Sequence, residues 1–473
     1  MTKRIETDLC VIGAGSAGLS VAAGAVQMGA KVVLIEHHKM GGDCLNYGCI
    51  PSKALIAAAR HAHAGWTNAP FGVEEQHPSV DFAAAKDHVR SVIDTIAPVD
   101  SQERFEKLGC TVIRERARFT GENEVTAGDT VIKARRIVIA TGSGPFVPPI
   151  PGLEDVEVHT NETIFDLRER PDHLIVIGGG PIGMEMAQAH RRLGSEVTVI
   201  EAERVFAKDD PEAALVVLNR MREEGIDVRE ATKAERVSRS DGGITVHTSG
   251  GDVTGSHLLV AVGRSVNVQD LDLELAHVAY DREGIRVNHQ LRSKTNRQVY
   301  AAGDAAGGMQ FTHLAGYHGG QLVKSLVLGL PAAERTNHVP WVTYTDPELA
   351  QVGMTEERAR RRYGPGLTVV RSDYDENDRA QADRNTRGFV KVMVVGGKPV
   401  GATIVGHQAG ELIALWSMAI ANKMKMSAIS NTILPYPTYN EINKRAAGAY
   451  FSPKLFDNDK VKKVVRLIQR WLP

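Results

Sequence analysis

Cysteine is scarce in this chain: four in 473 residues, at positions 10, 44, 49 and 110. So few thiols exclude a small disulfide-stapled scaffold. Long apolar runs are missing as well. No stretch of 18 consecutive apolar residues occurs, so no membrane-spanning helix is expected. The opening Met-Thr-Lys-Arg-Ile-Glu-Thr-Asp leads straight into a strand and has no signal-peptide core. Excess charge of either sign is lacking too. With 56 basic and 57 acidic residues the formal net charge is −1, and nothing global argues for nucleic acid or a bulk anionic partner. A cytoplasmic, reducing setting is expected, where a cysteine pair is more often catalytic than structural.

Glycine, in contrast, is abundant. Its 46 residues, with 42% hydrophobic and 24% charged, describe an α/β chain with many tight strand-to-helix turns. The length suffices for about three or four domains.

The segment from Asp8 to Ile12 reads as a buried parallel strand. It runs into Gly13-Ala14-Gly15-Ser16-Ala17-Gly18, then an Ala-rich helix through Met28 and a second strand, Lys31 to Ile35, that ends at Glu36. Each part has a physical job. Gly13 permits the turn, Gly15 lets backbone approach a pyrophosphate, and Gly18 lets helix and strand pack closely. The helix N-terminus offers N–H groups to phosphates, and Glu36 can accept from ribose hydroxyls. The same unit recurs with a strand at Leu174 to Ile177. Gly178-Gly179-Gly180-Pro181-Ile182-Gly183 follows, then a helix to about Leu193 and the strand Glu196 to Ile200 ending at Glu201. Gly178, Gly180 and Gly183 occupy the three fingerprint positions. Two complete fingerprints imply two dinucleotides in one chain. Glu201 suits the free 2′-hydroxyl of NAD and repels the 2′-phosphate of NADP, although Arg204 could partly offset that repulsion. NAD(H) is therefore expected over NADP(H).

Between the two fingerprints lies Gly41-Gly42-Asp43-Cys44-Leu45-Asn46-Tyr47-Gly48-Cys49-Ile50-Pro51-Ser52-Lys53. On a regular helix Cys44 and Cys49 would be ~7.5 Å apart in rise, beyond the ~7 Å Cα limit for an unstrained disulfide. A bridge therefore needs a bent or irregular helical start, which Gly48 and Pro51 permit. Zinc would require two more ligands at sensible spacing, and Cys10 and Cys110 are too scattered to supply them. Two unrelated core thiols are the other alternative. The context favours a redox-active pair.

Further segments fit a flavoprotein: Arg136 to Gly142, Leu258 to Arg264, and the strand Val299 to Ala302 leading into Gly303-Asp304. Taken with the cysteine block, they resemble the FAD-dependent pyridine nucleotide–disulfide oxidoreductases of the glutathione reductase, dihydrolipoamide dehydrogenase and mercuric reductase group. The C-terminal third resembles them too, in Val342 to Glu348, Val352 to Glu356, Gly388 to Val392 and Gly401 to Gly406. The resemblance implies an α/β fold of two doubly wound, Rossmann-like dinucleotide-binding domains plus a C-terminal α+β dimerisation domain. Residues 1–150 would bind FAD, 151–275 would bind NAD(P), and 276–338 would return to the FAD domain. Residues 339–473 would form the dimerisation domain with a basic tail.

Roles follow from the same resemblance. Cys49 would be the flavin-facing thiol, a charge-transfer thiolate when reduced, and Cys44 the interchange thiol that meets substrate. Lys53 would lie near the reactive edge of the flavin, paired with Glu185. Asp304, Gly42, Ala117, Thr141 and Gly142 would hold FAD, and Gly263 would approach the nicotinamide dinucleotide. Electrons would pass from NAD(P)H through FAD to the Cys44–Cys49 disulfide, and on to a small-molecule or metal-ion acceptor. An obligate homodimer is expected, with Tyr436 and Glu441 completing the partner's site.

One departure bears on substrate. Lipoamide and glutathione reductases carry His-Pro-Thr-x-x-Glu near the C-terminus. Here the segment reads Tyr436-Pro437-Thr438-Tyr439-Asn440-Glu441. Imidazole, with an ordinary pKa of ~6.5, exchanges a proton near neutrality, and a phenol at ~10 mostly does not. A tyrosine here is similar to mercuric reductases, whose soft-metal substrate suits thiolate sulfur. The chain offers no cysteine beyond Cys110 for a C-terminal metal-handing pair, and no N-terminal metal-carrier domain is expected in it. The alternatives are a dihydrolipoamide dehydrogenase or other small-disulfide reductase, and a flavin-bound redox sensor.

Beyond Lys460 the chain presents apolar residues at 461, 464, 465, 468, 471 and 472 on one helical face, with basic residues beside it. Packing of that stripe on the protein is the first expectation. Peripheral contact with an anionic membrane is the other.

Overall fold

A computed structural model describes residues 3–240 and 243–472. By internal contacts, residues 3–178, 189–198, 233–240 and 243–334 form one compact unit, and 179–188, 199–232 and 335–472 a second.

The first unit is built on a seven-stranded sheet. Its parallel part runs Thr111–Ile113, Val32–Ile35, Lys3–Ile12, Thr130–Ile139 and Val299–Ala301. An antiparallel pair, Glu124–Ala127 and Ala117–Gly121, extends the early half of Thr130–Ile139. The central strands are apolar on both faces because both are covered. Cys10, Ile12, Val33, Ile35, Ile137 and Ile139 pack into one core with Phe119, Val125 and Leu273. The alternate residues Leu9, Val11, Val32, Leu34 and Val138 meet the other core, with Leu19, Val21, Phe105 and Leu322. Period-two side-chain alternation thus sorts one hydrophobic run onto two layers. Cys10 and Cys110 are spent in these layers, and burial pushes their thiols up to about 12 and about 11.

A second parallel set in the same unit places His257–Val260 between Val158–His159 and His173–Ile177. The turn leaving each sheet repeats. Ala140 N–H donates to Ile12 O at 2.8 Å, and Ala261 N–H donates to Ile177 O at 2.8 Å. Gly13 has φ +105° and Gly178 φ +117°. A Cβ at Gly13 would lie 2.4 Å from Ala140 O, and one at Gly178 would lie 2.4 Å from Ala261 O. Both positions therefore exclude any side chain, by backbone conformation and by space.

The second unit carries a five-stranded antiparallel sheet. Its order is Pro340–Thr343, Glu348–Gly353, Lys398–Gly406, Phe389–Val395, Leu367–Asp373. The helix Ala409–Ala421 covers it, with Trp416 fully buried. Trp416 Nε1 donates to Asn443 Oδ1 at 2.7 Å, and Asn443 Nδ2 donates to Leu412 O at 3.1 Å. A buried lysine pins the same sheet: Lys391 Nζ lies 2.9 to 3.0 Å from carboxylate oxygens of Asp210, Glu212 and Glu356.

Among the described residues no helix is long and apolar enough to cross a membrane. The last helix, Asp459–Gln469, departs from the first expectation for its stripe. It has no buried residue, so the stripe does not pack on the chain. A stripe finds a core only where the fold brings a facing surface to it.

Candidate active site

The strands Val32–Ile35, Lys3–Ile12, Thr130–Ile139 and Val299–Ala301 all point their carboxyl ends to one edge of the sheet. Glu36, Gly13 to Gly15, Thr141 with Gly142, and Gly303 with Asp304 follow directly. Ligands of open α/β sheets bind at such an edge.

The helix Ser16–Gln27 starts there with Gly15 as its N-cap and no side-chain cap, which leaves first-turn N–H groups for an anion. Glu36 is buried and already occupied. Its Oε2 accepts Ala14 N–H at 2.8 Å and its Oε1 accepts His38 N–H at 2.7 Å. Glu201 repeats this in the second unit, accepting Gly179 N–H at 2.6 Å and Glu203 N–H at 2.9 Å. Each acid therefore braces its own glycine loop, a role that the sequence pattern did not reveal. Arg204 donates to Ala207 O at 3.0 Å and Asp209 O at 3.3 Å, so backbone carbonyls hold its guanidinium. Among the other fingerprint positions, a Cβ at Gly18 would lie 1.9 Å from Gly13 O, whereas one at Gly180 would meet nothing within 4 Å. Gly183 lies within the helix Pro181–Arg192.

The cysteine block folds back onto this edge. Gly41 N–H donates to Ala14 O at 2.9 Å, and a Cβ at Gly42 would lie 2.7 Å from Gly15 Cα. Cys44 sits in a one-turn helix, Gly42–Asn46, which stops at Tyr47; Gly48 is non-helical, and Cys49 opens a new helix, Cys49–Ala64. This is the break that a Cys44–Cys49 contact requires. Neither cysteine is in a disulfide here, Cys44 being half-buried and Cys49 exposed.

The two thiols are unequal. A hydrogen bond from Cys44 is the main influence lowering Cys49, to about 6. Burial opposes it, and Thr312, whose Oγ1 lies 3.3 Å from Cys49 Sγ, and the Lys53 ammonium add to the lowering. Cys44 moves upward, first because of its bond to Cys49 and then through burial. Cys49 is thus the thiolate and Cys44 the proton-bearing donor. Lys53 lies one turn beyond Cys49, with Nζ 3.3 Å from Ser52 Oγ.

A polar chain runs on from this pair. Asn161 Nδ2 donates to Asp43 Oδ1 at 3.0 Å, and Asp43 Oδ2 lies 3.2 Å from Arg264 Nη2. Arg264 Nε donates to Ser143 Oγ at 2.7 Å, and Ser143 Oγ donates to Asp304 Oδ2 at 2.5 Å. Burial raises the Asp304 carboxyl, and the Ser143 bond partly offsets that. Behind Asp304, Gly303 N–H donates to His318 Nδ1 at 3.2 Å, which leaves His318 Nε2 to face Glu334 at 3.1 Å. Thr141 and Gly142 are tied to Asn267. Thr141 Oγ1 donates to Asn267 O at 2.5 Å, and Asn267 N–H donates to Gly142 O at 2.9 Å. Ala117 is buried in the antiparallel extension, and Gly263 takes φ +147° beyond the second parallel set. Asp43, Asn161, Ser143, Arg264, Thr312 and His318 were not singled out from sequence. Asp43 lies inside the cysteine block and Arg264 ends the segment Leu258 to Arg264, but for the others no spacing signal could reveal them.

In the second unit Glu185 is buried and accepts Tyr344 N–H at 2.9 Å. Its neighbours Met184 and Met186 are buried, while Ile182 is partly exposed. Tyr436 is 68% exposed and donates its hydroxyl to Asp378 Oδ2 at 2.9 Å. That bond raises the phenol above its ordinary value. Glu441 opens the helix Glu441–Ala449.

Two glycine turns built alike, a cysteine pair packed against one of them and a separate five-stranded antiparallel sheet are the parts of a dinucleotide-dependent disulfide oxidoreductase. Residues 7–319 match the pyridine nucleotide-disulphide oxidoreductase family and residues 339–447 its dimerisation domain, and the chain belongs to that family. It is an FAD-dependent oxidoreductase acting on sulfur or metal, and the dimerisation domain supports a homodimer. Mercuric reductase of Acidithiobacillus ferrooxidans is 35% identical over 455 residues, 94% of this chain and 83% of that protein. Mercuric reductase of Streptomyces lividans is 33% identical over 94% of this chain and 96% of its own length. Among solved structures, the HOCl-induced flavoprotein disulfide reductase RclA of Escherichia coli matches with TM-score 0.84 and 28% identity, over 93% of this chain and 99% of that one. LpdA of Mycobacterium tuberculosis matches with TM-score 0.84 and 25% identity, over 94% and 99%.

Proposed function

We propose that this enzyme uses NADH to reduce a soft metal ion held by the Cys44–Cys49 pair, in the manner of a mercuric reductase. The observation that carries the reading is the state of Tyr436. Its proton is committed to Asp378 and its pKa is raised, so the phenol stays protonated at neutral pH and is a poor base for taking a proton from a thiol. Disulfide exchange needs such a base, because Cys44 bears its proton at neutral pH. Soft-metal ligation needs sulfur more than a proton relay. The mercuric reductase relatives support the reading, as does the Cu(II) complex recorded for RclA.

In this reading residues 1–150 and 276–338 hold FAD, 151–275 hold the nicotinamide dinucleotide, and 339–473 pair the subunits. The uncapped helix start at Gly15 would face the pyrophosphate. Gly42, Thr141, Gly142, Ala117 and Asp304 would line the rest of the FAD site. Bound FAD would supply the two-electron relay between nicotinamide and sulfur. Cys44, by donating to Cys49, is the main influence that keeps it ionised and orients it, and the Lys53 ammonium adds to that. Glu185 would set the charge near Lys53, and Tyr436 with Glu441 would reach the partner's pair. Glu201 together with the carbonyl-bound Arg204 supports NADH over NADPH.

The test is steady-state NADH and NADPH oxidation with Hg²⁺, lipoamide and oxidised glutathione as acceptors. Hg²⁺-dependent oxidation is expected with NADH, with disulfide turnover at least about tenfold slower and rising in Tyr436→His. Rapid lipoamide reduction by the unaltered enzyme overturns the metal reading.

A further inference from the structure

The helix Asp459–Gln469 is held by its own N-cap, Asn458 Oδ1 accepting Lys460 N–H at 3.0 Å and Val461 N–H at 3.4 Å, and none of its residues is buried. Its sequence is sorted by face. At about 100° per residue, Leu467, Trp471, Val464, Ile468, Val461 and Val465 fall in succession on one arc of roughly 160°. Lys462, Arg466, Arg470 and Lys463 occupy a separate arc of roughly 100° that also holds Asp459, while Lys460 falls among the apolar residues at the helix start, where its long stem can carry the ammonium outward. Leu467 is 56% exposed and Trp471 82%. Such large apolar side chains in water carry a standing cost that some surface must remove.

Charge selects that surface. The segment 459–472 holds five cations and one acid, Asp459, although the whole chain is balanced at −1. A second copy of the helix would bring like charge to like charge at either flank. An anionic bilayer instead supplies an apolar layer and a negative layer side by side, which matches the two arcs. At 11 residues, about 16 Å, the helix is too short to span, so it would lie flat.

We infer that this helix, with Trp471 and Leu472 beyond it, is a lipid-surface anchor. Its apolar arc enters the headgroup–acyl boundary of an anionic membrane, and Lys462, Lys463, Arg466 and Arg470 face the headgroups. The flavoenzyme would thereby work as a peripheral membrane protein with its nucleotide loops in water.

The experiment is flotation of the full-chain holoenzyme with vesicles of phosphatidylcholine, with or without phosphatidylglycerol, at low and high salt. Leu467→Glu and the double change Lys462→Gln/Lys463→Gln are compared, with FAD content, NADH oxidation and native mass as controls. Flotation with anionic vesicles is expected at low salt, falling about tenfold or more in Leu467→Glu and clearly in the double variant, with the controls unchanged. The inference is overturned if the unaltered enzyme stays with the aqueous phase, if it floats equally with neutral vesicles, or if Leu467→Glu floats as well as the unaltered enzyme. A fall in native mass in Leu467→Glu without vesicle binding by the unaltered enzyme assigns the face to a second copy, and also overturns it. Failure here leaves the metal-acceptor reading standing, since that is read from turnover in solution.

Discussion

A single hydrogen bond divides the labour between two chemically identical side chains. Cys44 and Cys49 share a backbone break and a few ångströms of space, yet one is held as thiol and the other as thiolate. In the reduced enzyme, alkylation of Cys49 by iodoacetamide should fall as pH drops through about 6, because its thiolate is lost there. Cys44→Ala removes the donor, so the midpoint should move up toward the ordinary thiol range. Mass-spectrometric alkylation rates between about pH 5 and 9 check this. An unchanged midpoint in Cys44→Ala would mean that Lys53 and Thr312 set the ionisation instead. The two cysteines and Lys53 were legible in one sequence block. Thr312 was not, since it reaches Cys49 across 263 positions of chain.

The two glycine turns are the clearest element-scale feature, being the same device built twice. Gly13→Ala and Gly178→Ala each force a methyl against a carbonyl oxygen at a backbone conformation that alanine resists. The first should be purified with little FAD. The second should keep its flavin and lose at least about tenfold in kcat/KM for NADH. Absorbance at the flavin band and steady-state kinetics separate the two, and loss of both cofactors from either variant would contradict independent loops.

The antiparallel sheet makes a different prediction. Lys391→Met leaves Asp210 buried without its partner, which should cost about 3–5 kcal/mol in unfolding of the second unit. Glu212 and Glu356 are held below the usual carboxylate range: burial opposes the shift, but their Lys391 and arginine bonds outweigh it. Their contribution is therefore full above the ordinary carboxylate pKa and lost as pH falls through the depressed folded values. Glu212 is half exposed, so solvent weakens its share. Thermal melts of both forms at neutral and acid pH should converge, because acid removes the partners that Lys391→Met leaves behind.

At the scale of the whole molecule, the proposed reading needs two subunits, because it assigns Tyr436 and Glu441 to the partner's site. Sedimentation should give a native mass of two chains that persists at assay concentrations. Full turnover by a single chain would refute the assignment of Tyr436 and Glu441 to the partner's site. The family, the two nucleotide loops, the cysteine pair and the tyrosine substitution could all be read from the chain, because each depends on neighbours within a few positions. Strand and glycine patterns encode local geometry directly. Tertiary structure alone decided that Glu36 and Glu201 brace their own loops and that Asp43 is linked through Arg264 to Asp304. It alone left the last helix without a surface of its own. Those outcomes depend on which distant segments the sheet edges bring within hydrogen-bonding or packing distance, and no spacing along the chain records that.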